Sequence, residues 1–82
     1  MSLEQQLKDL NDHPSDGIAN WAADAYELQA DYKAGKISKD EYAELVGDLA
    51  HSQAIADAAN DLAAKTTMYN VIQGLKALAS LA

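Results

Sequence analysis

Residues 25–49, AYELQADYKAGKISKDEYAELVGDL, read as two helices joined by a tight turn. Gly35 ends the first, because glycine takes the left-handed conformation past a helix end without steric cost. Ser38 opens the second, since its hydroxyl can accept a hydrogen bond from an orphan amide of the next turn. Glu41, three residues on, completes a capping box. Ile37, just before the cap, is placed to staple onto Tyr42 or its neighbours. The stretch predicts an antiparallel αα-hairpin.

Upstream, Ile18, Trp21, Ala25, Leu28 and Tyr32 recur at spacings of 3, 4, 3 and 4. They form the apolar stripe of a helix over residues 16–34, capped by Ser15 or Asp16. Asp24, Glu27 and Asp31 fall largely on its other side. Pro14 separates this helix from a first one over residues 3–11, capped by Ser2, with Leu3, Leu7 and Leu10 on one face.

Downstream, Tyr42, Leu45, Val46 and Leu49 are the apolar teeth of the third helix. The pattern then thins to Ile55, Ala58, Ala59, Leu62 and Ala63. Two arrangements fit the remainder of the chain. In one, a helix over 39–64 breaks near Lys65–Thr67 and Thr66 or Thr67 caps a fourth helix over 67–81. In the other, a single helix runs on to about Ser80, since no proline occurs after Ser38 and glycine costs only about 1 kcal/mol in a helix. Such a helix would span roughly 60 Å against roughly 28 Å for the second helix, and the overhang would need another chain. Either way the fold is all-α, a single domain of three to four helices on a central hairpin.

The charge balance narrows the partners. Thirteen acidic residues face six lysines and no arginine, for a formal net charge of −7. Phosphate and anionic lipid would be repelled, and the preferred residue for forked phosphate contacts is missing, which argues against direct nucleic-acid binding. Cysteine is absent, so there is no disulfide framework or thiolate chemistry, as suits a reducing compartment such as the cytoplasm. No run of about eighteen uncharged apolar residues suggests a membrane span, and MSLEQQLKDL lacks the blocks of a secretion signal.

Candidate chemistry is sparse. Glu44, Asp48 and His51 sit at i, i+4 and i+7, but a zinc site asks for more His or Cys, and a solvated acidic face explains them. Asp12, His13, Ser15 and Asp16 offer a Ser/His/Asp inventory too close in sequence for nucleophile–base–orienter geometry; capping accounts for Ser15 and Asp16. No phosphate loop or HExxH occurs. No catalytic residue, metal ligand or cofactor is expected.

The hairpin resembles the short C-terminal helical hairpins of the SHOCT type, through Leu28, Gly35, Ile37, Ser38, Glu41, Tyr42, Leu45 and Leu49. The resemblance covers about a quarter of the chain and implies an oligomerisation or interaction element. Glu44, Gly47 and Asp48 stand where that family usually carries basic residues. The small, acidic, alanine-rich character is also similar to that of bacteriophage accessory and virion proteins, for which the compartment would be the virion or host cytoplasm.

The expected function is non-enzymatic: an assembly or adaptor module that self-associates or docks on a larger protein. Ile18, Trp21, Leu28, Tyr32, Leu45 and Leu49 would hold the hairpin, and Val71, Ile72, Leu75 and Leu78 would present a surface to the partner. That last stripe, with Leu81, has three possible covers: the chain's own core, a protein interface or a membrane surface. The alternative function is an acidic inhibitor or nucleic-acid mimic, with Asp24, Glu27, Asp31, Asp40, Glu41, Glu44 and Asp48 along one side of the hairpin.

Overall fold

A computed structural model of the chain describes residues 3–80, and within them the side chain of Ala59 is left undescribed. Ser2, Leu81 and Ala82, and the cap and stripe positions expected of them, lie outside the described residues. The elements are α1 (Leu3–Asn11), α2 (Asp16–Lys33), α3 (Lys39–Ala50), α4 (Gln53–Asp57), a 3₁₀ turn (Ala58–Asn60) and α5 (Leu62–Ser80). The fold is all-α, and no strand occurs among the described residues.

The hairpin forms as its caps dictate. Gly35 has φ +75°. The Lys36 amide reaches back to the Asp31 carbonyl at 2.9 Å and the Gly35 amide to Tyr32 at 3.1 Å. These bonds satisfy carbonyls that the end of α2 would otherwise orphan. At the start of α3 the Glu41 amide donates to Ser38 Oγ at 3.1 Å, while the Ser38 hydroxyl turns to the Glu41 carboxylate at 3.4 Å. Ser15 stands at the N-cap of α2, yet its side chain makes no capping bond, contrary to expectation.

The third helix is shorter than its pattern predicts. It ends at Ala50, and His51 forms the C-cap. Ser52 then caps α4, accepting from the Ala54 amide at 3.1 Å. Asp61 starts α5, its Oδ1 accepting from the Ala64 amide at 3.1 Å. The expected break at Lys65–Thr67 is therefore misplaced: Thr66 and Thr67 lie inside α5, where the Thr67 hydroxyl donates back to the Ala63 carbonyl at 3.0 Å. Serine and asparagine or aspartate side chains compete with the helical ladder. At 51–52 and 60–61 they do so where the apolar pattern is too thin to hold a straight helix.

The turn between α3 and α5 carries a large reward. Helix α5 folds back to pack on both α3 and α1, while α2 contacts α1 and α3, so four helices close a ring around one core. Helix α4 packs against α2. Trp21, Ala25, Leu7, Tyr42, Val46, Met68 and their neighbours fill the centre. Val71, Ile72 and Leu75, expected to face a partner, are at most 3 % exposed, and Leu78 is partly buried against the same core. They are core because α1 and α3 cover them. At Gly74 the backbone lets α1 come close: a Cβ there would lie 3.1 Å from Leu3 Cδ1.

Candidate protein-docking groove

Three side-chain bonds lock the ring across long sequence distances. Trp21 Nε1 donates to the Leu49 carbonyl at 3.0 Å, joining α2 to the last turn of α3. The Tyr42 hydroxyl donates to the Leu75 carbonyl at 2.7 Å, joining α3 to α5. His13 Nε2 lies 2.8 Å from Asp61 Oδ2, tying the α1–α2 loop to the cap of α5.

The structure does not join His13 to the Ser15 hydroxyl, so the sequence-adjacent Ser/His/Asp residues are not assembled as a triad. Nδ1 accepts from the Ser15 backbone amide at 3.0 Å, not from the Ser15 hydroxyl. A neutral ring with Nδ1 accepting carries its proton on Nε2, which then donates to Asp61. Both ring nitrogens are engaged structurally. The Ala64 amide first, and His13 second, hold the Asp61 carboxyl below its ordinary value. The depressed folded value places this contribution above the unfolded pKa and removes it as pH falls through the folded one. Asp61→Asn should keep a capping side chain but lose the charge. We expect a lower Tm than the wild type at pH 7, with the gap closing as the pH falls below the ordinary aspartate range, measured by circular dichroism melts from neutral to acid pH.

Glu44 and Asp48 stay on α3 and His51 sits beyond its last turn. Among the described residues no group of three or more His, Asp or Glu side chains is arranged to hold a metal. No described helix is long and apolar enough to cross a membrane.

A concavity of about 610 Å³ runs between α2 and α3. Its floor is apolar: Trp21 and Leu28 from α2, Leu45 and Leu49 from α3, and Ile37 from the turn. Leu45, expected to hold the hairpin, is instead 41 % exposed. At 100° per residue it lies about 60° from Tyr42 and about 100° from Val46 around α3, so it points out of the core when those two point in.

Carboxylates rim the floor. Asp24, Glu27 and Asp31 line it from α2 and Asp48 from α3, and none of the six lysines does. None of these four side chains makes an ion pair or side-chain hydrogen bond among the described residues. Of the seven acidic residues expected along one side of the hairpin, the groove gathers these four; Asp40, Glu41 and Glu44 do not line it. A second concavity of about 490 Å³ between α1 and α2 is balanced in charge, with Glu4 and Lys8 on its walls and Tyr26 exposed beside them.

Comparison with known proteins yields no match to a protein family, to a characterised protein or to a solved structure.

Proposed function

We propose that this protein is a non-enzymatic interaction module that docks on a larger protein through the α2–α3 groove. The observation that carries the reading is Leu45, exposed on an apolar floor that it shares with Trp21, Leu28 and Leu49. An apolar groove lined by two helices accepts an amphipathic segment as a third. The resemblance of the hairpin to interaction elements of the SHOCT type supports the same class. A reducing, cytoplasmic setting suits a chain without cysteine.

Trp21 is the single tryptophan and its buried ring lines the groove, so its emission is one readout of occupancy and calorimetry the second. A helix-forming peptide with a leucine stripe and a neutral glutamine face should shift that emission saturably. Leu45→Ser should leave the circular dichroism spectrum intact. It should weaken binding roughly fivefold, the equivalent of about 1 kcal/mol for burying the exposed part of one leucine. Flat titrations of the wild type with leucine-stripe peptides of every flank charge would remove the docking reading.

A second reading, an acidic inhibitor that occupies a basic site on a nucleic-acid-binding protein, draws on the row Asp24, Glu27 and Asp31, which makes no ion pair among the described residues. It differs in being insensitive to Leu45→Ser and wholly salt-dependent.

A further inference from the structure

We infer that the occupant of the α2–α3 groove is a cationic amphipathic helix from a different protein, with lysine or arginine flanking its apolar stripe. The inference rests on the docking reading above and specifies its partner. Four carboxylates rim an apolar floor, no lysine shares the wall, and none of the four has a partner among the described residues. A neutral ligand seated on Trp21 and Leu45 would strip water from Asp24, Glu27, Asp31 and Asp48 and leave them unpaired, a desolvation cost with nothing to offset it. A ligand with cations at the rim converts that cost into charge-assisted hydrogen bonds.

The spacing sets the ligand's form. From Gly17 through Trp21, Asp24 and Leu28 to Asp31, the lining positions of α2 span about 21 Å at 1.5 Å per residue, the length of a helix of about 14 residues. Asp24, Glu27 and Asp31 stand at i, i+3 and i+7, a rhythm that basic residues at the same spacing on a neighbouring helix can follow. A second copy of the chain is the poorer occupant. It brings a net charge of −7 towards a groove already carrying four negative charges. Its least acidic face, on α5, offers Lys65, Lys76 and the exposed Leu62 and Tyr69.

The test compares three synthetic 14-residue helix-forming peptides that share one leucine stripe and carry lysine, glutamine or glutamate on the flanks. Each is titrated against the full chain with Trp21 emission and calorimetry as readouts. The lysine peptide should bind about tenfold or more tighter than the glutamine peptide, and the glutamate peptide should not bind. The combined variant Asp24→Asn, Glu27→Gln, Asp31→Asn and Asp48→Asn should erase that preference. A control variant with Asp9→Asn, Asp12→Asn, Glu44→Gln and Asp57→Asn carries the same net charge outside the groove and should retain it. Equal loss in both variants would reduce the effect to overall charge and overturn the inference. Equal affinity for lysine and glutamine peptides would overturn it while leaving the docking reading standing; no binding by any peptide would end both. Concentration-dependent dimers in light scattering, abolished by either Leu45→Lys or Tyr69→Glu, would put the α5 face of a second copy in the groove and overturn the inference in that way.

Discussion

Leu75→Asp is expected to abolish the folded state. Leu75 is fully buried on α5, and its carbonyl receives the Tyr42 hydroxyl. Truncating a buried leucine costs about 2–5 kcal/mol by itself. The introduced carboxylate would find no cation among the core residues, and an unpaired buried charge adds several kcal/mol more. A chain of this size has a total stability on the order of 4–12 kcal/mol. The variant should therefore lack a cooperative thermal transition and show a largely unfolded far-ultraviolet spectrum at 25 °C. Had α5 presented a partner surface, the same change would weaken association and leave a folded monomer. Leu78→Asp, at the partly buried end of the stripe, should be milder and retain a transition.

Tyr42 carries the second large effect. Its ring is fully buried, stacks on Tyr32 with centroids 4.1 Å apart, and spends its hydroxyl on α5. Tyr42→Ala should cost about 3–5 kcal/mol in urea unfolding, as for other buried aromatics. Tyr42→Phe removes only one hydrogen bond and should cost about 1 kcal/mol. Burial, with a smaller contribution from Tyr32, pushes the Tyr42 hydroxyl up to about 12. The fold favours the neutral form of this hydroxyl. Its contribution is complete below the unfolded value of about 10 and is lost as pH rises through the folded value. Wild type should accordingly lose stability between about pH 10 and pH 12 faster than Tyr42→Phe, narrowing the gap between them. Parallel alkaline slopes in urea titrations would show that Tyr42 is not buried as described.

Legibility in the sequence tracks the range of the interactions. The hairpin could be read because Gly35, Ser38 and Glu41 act within four residues of their partners, and the stripe from Ile18 to Leu28 because one helix turn sets its period. The break between α3 and α5 could not be placed. Ser52 and Asp61 are ordinary capping residues, and choosing them over Thr66 or Thr67 depends on α5 packing back against α1. The bonds that secure the ring, Trp21 to Leu49, Tyr42 to Leu75 and His13 to Asp61, join residues 28, 33 and 48 positions apart and leave no local pattern. The groove was half visible. Its carboxylates were legible as an acidic side, but its floor was not, because Leu45 lies at the edge of the stripe of Tyr42 and Leu49, and how far other helices cover that edge is set by packing and not by local sequence. Sequence likewise could not separate a covered apolar face from an open one, so Val71, Ile72 and Leu75 read equally well as interface or core.

During translation the helix that closes this ring emerges last. Helices α1, α2 and α3 can pair in order as they leave the ribosome, since each touches the next in sequence. Helix α5 begins only at Leu62, while the α1 surface it covers begins at Leu3. At about 5–20 residues per second, roughly 3–12 s separate the two. Whatever pairing α1, α2 and α3 reach in that interval, the apolar faces of α1 and α3 that α5 covers stay uncovered until it arrives.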